Sequence, residues 1–293
     1  MDKIKIVSLN SQGLGDPKKR RDVLDRLRSK NYSIICIQDT HFTKSIERII
    51  TTEWGYKVWF SSFSSNSRGV AIFFKNNFEF VIHNTFNDQN GNVIVLDVEI
   101  AKHRITLVNI YGPNDDRPVF YNQIGDTIIK MGNSNIIMMG DFNLLLDPPV
   151  DGVNYRHVNN PNARKSLLKI MSDLKLYDVW REENGDKHMY TWKRKLPNGN
   201  LQMGRLDFFL VSESLLNYSK EEDILPGYRS DHSAISLSLC FDEPPKGKSF
   251  WKFNNSLLKD INFIKEIKKA IKDIKIKYAV NPYHIDNIDN IDN

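Results

Sequence analysis

The sequence predicts an α/β domain built on one large β-sheet or on two sheets. Strand-like runs of apolar and β-branched residues recur along the chain, and a few helical patterns fall between them. Many strands interleaved with few helices are typical of a layered α/β arrangement. In chain order the strand-like runs are "IKIVSLN", "SIICIQ", "YKVWFSSF", "GVAIFF", "FEFVIHN", "VIVLDVEI", "RITLVNIY", "NIIMMGD", "MYTWKR", "RLDFFLVS" and "AISLSLCF".

The helical patterns lie near residues 17–30, 118–131 and 163–175. The first one shows the clearest start signal. Pro17 suits the first position of a helix, and it follows Asp16, a residue type that often caps helices. Val23, Leu24 and Leu27 then fall on one face, which predicts a helix packed on the sheet.

Composition places the chain among ordinary globular proteins. It has 293 residues, of which 40% are hydrophobic and 26% are charged, with a formal net charge of +5. The mild basic bias is compatible with a phosphate-rich partner. The two cysteines lie in apolar runs, which predicts buried reduced thiols. The N-terminus has no signal-peptide pattern and no stretch reaches the ~18 apolar residues of a membrane span, so we expect an intracellular protein, nuclear or cytoplasmic, that is not secreted.

The composition changes after residue 241. "DEPPKGKS" is typical of a linker, and beyond it isoleucines recur at spacings of three and four with lysines between them. Such a helix either docks on a neighbour or contacts nucleic acid. We therefore predict a domain over residues 1–241, a linker over 242–255, a basic amphipathic helix over 256–280 and a low-complexity tail over 281–293.

Several apolar strands end on a polar residue that a core strand would not select. Each one alone could be a turn or cap residue. Asp207 is the exception, because a carboxylate inside "LDFF" is costly to bury without a partner such as histidine. Functional sites in open α/β sheets form at the carboxyl ends of strands, so these side chains would converge on one rim. The converging set is Asn10, Asp39, Asp141, Asn143, Asp207, Asp231 and His232.

That set predicts a site for phosphodiester chemistry. Carboxylate and amide oxygens suit Mg²⁺, or Mn²⁺, better than zinc. A divalent ion can offset charge on a phosphate, a carboxylate can orient a water molecule, and an imidazole can donate a hydrogen bond.

Eight motifs occur in an order that resembles the endonuclease/exonuclease/phosphatase family. They are "LNSQGL", "IQDTH", "GVAI", "NIYGPN", "GDFN", "YTW", "RLDFFL" and "SDHSA". Within the family the chain is most similar to the N-terminal endonuclease of LINE-type (non-LTR) retrotransposon proteins. The resemblance implies a four-layer α/β/β/α sandwich, with two packed mixed β-sheets flanked by helices.

The resemblance also implies roles for the rim residues. Asn10 and Asp39 would bind the metal, and Asp231 would add a ligand or orient a metal-bound water. Asp141 would orient the attacking water, Asn143 would place the phosphate or water, and Tyr111 would hydrogen-bond the phosphate or leaving group. Asp207 would fix His232, which would donate a hydrogen bond to the phosphate.

One position departs from the family pattern. The family usually has glutamate where this chain has Asp39, in "IQDTH". The shorter carboxylate either contacts the ion through water, in a working variant, or marks a weakened site.

The DNA-facing surface is predicted from basic residues. "KRKLPNGNLQMGR" reads as a hairpin, and we expect Lys193, Arg194 and Lys195 to contact the duplex, the alternative being a solvated hairpin. The cluster "KKRR" over residues 18–21 contacts phosphate or is simply solvated. We also expect Asn114, Thr191 and Ser230 to contact DNA.

These observations predict a monomeric Mg²⁺-dependent DNA endonuclease that nicks one strand, leaving 3′-hydroxyl and 5′-phosphate ends. In retrotransposon proteins this segment leads towards a reverse transcriptase, so such an enzyme is an expected partner, in cis or in trans. The alternatives are an apurinic/apyrimidinic-type repair endonuclease or exonuclease, and a catalytically weakened relic that binds nucleic acid.

Overall fold

The computed structural model describes residues 3–155, 160–241 and 261–278. The chain divides into two units, Met1–Lys246 and Gly247–Asn293. The first unit contains two six-stranded sheets and one three-stranded sheet.

The first six-stranded sheet carries the strand that begins the domain. Its parallel pair is Ile4–Asn10 (β1) with Ile34–Gln38 (β2), and its other neighbours are antiparallel. In spatial order the strands are Ser219–Leu225 (β14), Ala234–Leu239 (β15), Ile4–Asn10 (β1), Ile34–Gln38 (β2), Val70–Phe74 (β4) and Val58–Ser61 (β3).

The second six-stranded sheet is also mixed. Its parallel pair is His103–Tyr111 (β7) with Ile136–Asp141 (β8), and the remaining pairs are antiparallel. In spatial order the strands are Leu176–Asp178 (β10), Asp207–Ser212 (β13), Ile136–Asp141 (β8), His103–Tyr111 (β7), Val93–Ile100 (β6) and Val81–Asn87 (β5).

A small third sheet joins the predicted hairpin to a short strand. Its order is Trp192–Lys195 (β11), Leu201–Gly204 (β12) and Gly152–Val153 (β9), all antiparallel. The helices of the first unit are Pro17–Ser29 (α1), Glu47–Trp54 (α2), Pro118–Lys130 (α3), Pro148–Asp151 (α4), Pro161–Asp173 (α5), Val179–Asn184 (α6) and Glu213–Leu216 (α7).

The two large sheets pack face to face because their strands alternate apolar residues between both faces. In β8, Ile137 and Met139 enter the core between the sheets, whereas Met138 enters the core beneath α3 and α5. In β1, Ile6 faces the central core and Val7 faces the core beneath α1 and α2. Helices therefore cover both outer faces, and the predicted four-layer α/β/β/α sandwich is confirmed.

The two cysteines differ in exposure. Both are free thiols; Cys36 is buried in the central core, as predicted, whereas Cys240 is half-buried. The prediction of two buried thiols was therefore wrong for Cys240, which follows the last residue of β15 and so leaves the sheet.

The second unit is described through one helix, Ile261–Tyr278 (α8), which falls within the predicted helix over 256–280. Four of its isoleucines are exposed, namely Ile261, Ile267, Ile271 and Ile274. The predicted linker over 242–255 and tail over 281–293 lie outside the described residues, so these domain boundaries stay predictions. Within the part of the chain that the structure describes, no helix combines the length and apolar character needed to cross a membrane.

Candidate active site

An open cleft of about 950 Å³ lies at the rim where both large sheets end. Most of the polar residues predicted at strand ends line it. They converge because β1, β7 and β8 all deliver their carboxyl ends to this rim. The lining residues are Asn10, Gln12, Asp39, Tyr111, Asn114, Asp141, Asn143, Asn154, Tyr155, Asn160, Trp192, Arg194, Leu196, Pro197, Asn198, Gln202, Leu206, Asp231 and His232.

Strand register aligns three of the site residues. Asp141 is the cross-strand neighbour of Tyr111 in the parallel pair and of Asp207 in the antiparallel pair. Gly140 makes this register possible, because a Cβ at this position would lie 2.0 Å from the Ile110 carbonyl oxygen. Its φ of +138° also favours glycine. The glycine of "GDFN" is thus required by the backbone, and it places Asp141 beside its two cross-strand neighbours.

His232 sits between two buried carboxylates. Its Nδ1 lies 2.9 Å from Asp207 Oδ2, and its Nε2 lies 3.7 Å from Asp141 Oδ2. Burial alone would lower the pKa of His232, but the charges of Asp207 and then Asp141 outweigh it and raise the pKa to about 10. The imidazole is therefore held as a cation that can donate a hydrogen bond into the cleft.

Asp141 is fully buried and receives two hydrogen bonds. Asn10 Nδ2 donates to Oδ2 at 2.8 Å, and the Asn143 amide donates to Oδ1 at 2.8 Å. Burial raises the pKa of Asp141, and the neighbouring positive charge of His232 opposes that rise. A carboxylate whose pKa is raised in this way is suited to accepting a proton near neutral pH.

Asn143 and Tyr111 form the wall beside Asp141. Asn143 has a left-handed backbone with φ of +50°, and its Nδ2 donates to the Gly112 carbonyl oxygen at 2.7 Å. Tyr111 is half-buried, and burial, followed by the charges of Asp39 and Asp141, raises the pKa of its hydroxyl above the usual value. Tyr111 therefore stays protonated and can act as a hydrogen-bond donor.

Two further carboxylates lie at the mouth of the cleft. Asp39 Oδ1 accepts hydrogen bonds from the Arg68 amide at 3.0 Å and from His41 Nε2 at 3.1 Å. Asp231 is exposed, and its Oδ2 accepts a hydrogen bond from Trp192 Nε1 at 3.0 Å. Both carboxylates keep an oxygen that has no hydrogen-bond partner among the described residues.

The donors at the mouth fit a hard divalent cation. Asp39 and Asp231 offer carboxylate oxygens and Asn10 offers an amide oxygen, the ligand types that Mg²⁺ and Mn²⁺ take. Asp141, Asp207 and His232 form a second group, whose ligand atoms lie within 4.8 Å of one another. A protonated imidazole has no lone pair for a metal, so the chemistry of this buried group fits proton handling better.

Thr191 and Ser230, both predicted to contact DNA, make hydrogen bonds within the protein. Thr191 is 1% exposed, and its Oγ1 accepts hydrogen bonds from the amides of Leu206 and Asp207, which fixes the start of β13. A side chain this buried offers little surface to a duplex, and the DNA contact of Thr191 stays a prediction. Ser230 Oγ donates to the Asn10 carbonyl oxygen at 2.7 Å and accepts from the His232 amide, which joins the end of β1 to the segment before β15.

The predicted basic hairpin is present, but its three basic residues do not share a face. Arg194 lines the cleft together with Trp192, its guanidinium 5.5 Å from the indole ring, and Arg194 Nε donates to Gln202 Oε1 at 2.6 Å. Because side chains alternate along a strand, Lys193 and Lys195 lie on the opposite face. Asn114 lines the cleft and is exposed, as a DNA contact requires.

The basic residues over positions 18–21 also differ in their surroundings. Arg20 is buried and paired with Glu53, with Nε 2.9 Å from Oε2 and Nη2 3.0 Å from Oε1. Neither alternative for the cluster, phosphate contact or solvation, fits Arg20, because both guanidinium edges face protein acceptors. Lys19 Nζ donates to the carbonyl oxygens of Ser11 and Gln12, which holds the loop after β1.

Sequence reasoning missed a buried ion network behind the hairpin. Arg205 is 1% exposed and donates to Asp151 and Asp178, with Nε 2.8 Å from Asp151 Oδ1 and Nη2 2.6 Å from Asp178 Oδ2. This network anchors the segment that precedes Asp207. The arginine in "GRLDFF" was a signal, because a charged residue beside buried aromatics needs partners, but its partners lie far away in sequence.

Comparisons with known proteins show the family to which the chain belongs. A model of the Endonuclease/Exonuclease/phosphatase family matches residues 7–232. The chain is 28% identical over 272 residues to the Transposon TX1 uncharacterized 149 kDa protein of Xenopus laevis, a match that covers 90% of this chain and 20% of that protein. The chain thus spans about a fifth of that relative's length.

Solved structures share the fold. The AP endonuclease LMAP from Leishmania major has a TM-score of 0.69 at 19% identity, over 81% of this chain and 87% of that one. The endonuclease domain of TRAS1, a telomere-specific non-LTR retrotransposon, has a TM-score of 0.61 at 16% identity, over 82% of this chain and all of that one.

The fold and the rim of carboxylates, amides and imidazole define a hydrolytic nuclease or phosphatase class. The chain belongs to the endonuclease/exonuclease/phosphatase family. The family resemblance seen in the motifs, and the similarity to a transposon-encoded protein, are confirmed.

Proposed function

We propose that this protein is a Mg²⁺-dependent DNA endonuclease that nicks one strand by hydrolysing a phosphodiester bond, with Mn²⁺ as a possible substitute. The observation that carries the proposal is the chain of contacts Asp207–His232–Asp141–Asn10 at the floor of an open cleft. It brings a proton acceptor and a charged donor together within reach of one phosphate.

The residues divide the work as follows. Asn10, Asp39 and Asp231 would hold the divalent ion, which when bound offsets negative charge on the phosphate. Asp141 orients the attacking water and accepts its proton. The water oxygen bonds to phosphorus as the bond between phosphorus and the O3′ atom of the cut strand breaks.

Donors on the other side stabilise the phosphate. His232, held by Asp207, donates from Nε2 to a non-bridging oxygen whose charge grows in the transition state. Asn143 positions the phosphate or the water, and Tyr111 donates to the phosphate or the leaving oxygen. The products are a 3′-hydroxyl and a 5′-phosphate.

DNA is proposed as the substrate because the cleft is open and polar and Arg194 enters it from the hairpin. Asn114 and the hairpin tip would contact the duplex beside the cut. Because the named relatives include a transposon protein and the endonuclease domain of a retrotransposon, we propose target nicking of the retrotransposon type. A reverse transcriptase, in cis or in trans, would then extend the 3′-hydroxyl, and the nuclease would act as a monomer inside the cell.

The proposal is tested on end-labelled duplex oligonucleotides, intact or with one abasic site, in the presence of Mg²⁺. We expect nicks in the intact duplex whose 3′ ends a polymerase extends. Cleavage of the abasic duplex far faster than of intact DNA would instead support the repair-type alternative. Binding to DNA without cleavage of either substrate would support the relic.

A further inference from the structure

We propose that His41 is a positioning residue that orients the shortened carboxylate of Asp39 for the divalent ion. The inference rests on the proposed function, since it assumes that Asp39 is a metal ligand. It concerns a side chain outside the set of residues that the motifs assign to chemistry. It also accounts for the position at which the chain departs from the family's usual glutamate.

The backbone around Asp39 is fixed on both sides. Asp39 has a left-handed backbone with φ of +49°, and its carbonyl oxygen accepts a hydrogen bond from the Gly13 amide at 2.7 Å. On the other side the amides of Thr40 and His41 donate to the carbonyl oxygens of Gly69 and Arg68 at 2.9 and 2.8 Å. These hydrogen bonds fix the main chain, so it cannot shift towards the metal to compensate for the shorter side chain of Asp39.

The orientation of the Asp39 carboxylate therefore depends on its own partners. Both of its hydrogen bonds, from His41 Nε2 and from the Arg68 amide, go to Oδ1. Among the described residues Oδ2 has no hydrogen-bond partner, and Asp39 lines the cleft with 14% of its side chain exposed. Holding one oxygen at two points leaves the other free to face the ion or a water bound to it.

Gly13 provides the space that fixes the imidazole. A Cβ at Gly13 would lie 2.7 Å from His41 Nδ1 and 3.1 Å from Cε1, and its φ of +80° favours glycine. The His41 ring is 23% exposed, so one side is packed while Nε2 points at the carboxylate. Because the imidazole is fixed, the carboxylate that it holds is already ordered and loses little conformational freedom when the metal binds.

Asp39 is one methylene shorter than glutamate, which makes its carboxylate depend more on neighbouring residues for its orientation. An aspartate carboxylate turns about two torsions from a fixed backbone, so its reach towards a metal depends on how those torsions are held. Residues that hold a ligand's orientation are typically worth about 10–100-fold in metal affinity. We expect His41 to contribute within this range.

The test measures Mn²⁺ affinity by electron paramagnetic resonance of the free ion, with Mn²⁺-dependent nicking alongside. His41→Leu removes the donor, His41→Gln keeps an N–H donor, and His83→Leu is a matched control. His83 Nε2 also lies 3.1 Å from a carboxylate, that of Glu99, but away from the cleft. We expect His41→Leu to weaken Mn²⁺ binding by about tenfold or more. His41→Gln should stay near wild type and His83→Leu should have no effect.

A double-mutant cycle with Asp39→Glu tests the link to the shorter side chain. We expect His41→Leu to cost clearly less Mn²⁺ affinity when residue 39 is glutamate, because the longer side chain reaches the ion without this support. An equal loss in both backgrounds would overturn that link.

Two other results would overturn the positioning role. One is wild-type Mn²⁺ affinity in His41→Leu. The other is an equal loss in His41→Leu and His41→Gln together with a lower melting temperature, which would indicate packing alone. Wild-type protein that neither binds Mn²⁺ nor nicks DNA would contradict the proposed function itself, a result distinct from unaffected variants of an active enzyme.

Discussion

His232 Nδ1 lies 2.9 Å from Asp207 Oδ2, and the opposite nitrogen of the same ring faces Asp141 at 3.7 Å. Asp141 and Asp207 are direct cross-strand neighbours in β8 and β13. The imidazole arrives from a different sheet, on the segment just before β15. His232 thus connects the first sheet to the two carboxylates that the second sheet carries at the cleft.

Asp207→Asn should lower the rate of single-turnover nicking by about 100-fold or more. The amide can turn its NH₂ towards Nδ1, which favours the wrong tautomer of His232, and it carries no charge to keep the ring protonated. The measurement is the nicking rate under enzyme excess, with circular dichroism to confirm folding. A folded variant that nicks at the wild-type rate would remove Asp207 from the mechanism.

Arg194→Gln should reduce the salt dependence of DNA binding, whereas Lys193→Gln should not. Arg194 lines the cleft and Lys193 lies on the other face of the same strand, so the two variants lose one charge each in different places. Each lost phosphate contact should flatten the slope of log affinity against log salt by roughly 0.9. Equal flattening in both variants would show that the duplex contacts both faces of the hairpin.

Thr191→Val should destabilise the fold by about 1–3 kcal/mol without weakening DNA binding. Valine has the same shape but leaves the buried amides of Leu206 and Asp207 without their acceptor. Thr191→Ser, which keeps the oxygen, serves as the control. Thermal denaturation and DNA titration distinguish the two roles. Lower DNA affinity at unchanged stability would instead support Thr191 as a DNA contact.

Glu222→Gln should stabilise the protein above pH 5. Burial, reinforced by the charge of Asp178, raises the pKa of Glu222 well above 4.5, and its Oε2 has no hydrogen-bond partner in the described part of the chain. A carboxyl group whose pKa is higher in the folded than in the unfolded state contributes stability at pH values below its unfolded-state pKa. That contribution is lost as the pH rises through the folded-state pKa.

Glutamine imitates the protonated form at every pH, so the variant avoids that loss. We expect melting temperatures that nearly coincide at pH 4 and a variant that melts about 2–4 °C higher at pH 8, which corresponds to about 1 kcal/mol. A pH-independent difference would mean that Glu222 is not the titrating group.

The sandwich fold and the convergence of the strand ends could both be predicted from the sequence. Asn10, Asp141, Asp207 and His232 were predictable because each places a polar group where an apolar strand stops, and a buried carboxylate requires a partner. The fold class followed from the order of the strands and helices, and the motif resemblance specified its layers.

Features that depend on distant partners were not predictable. The faces of Arg194 and Lys193 follow from the register of a hairpin, and the buried state of Arg20 follows from Glu53, 33 residues away. Thr191 looked like a surface residue beside a basic hairpin, whereas two backbone amides occupy its oxygen. A single chain shows which groups need partners but not which partners they find.

The most direct test of the central claim is nicking of supercoiled plasmid by the wild-type protein and by His232→Ala, each with Mg²⁺ and with EDTA. We expect relaxed circles only for wild type with Mg²⁺, since the ion and the imidazole are both required. Intact supercoils in every lane, or relaxation that persists in EDTA or in a folded His232→Ala variant, would contradict it.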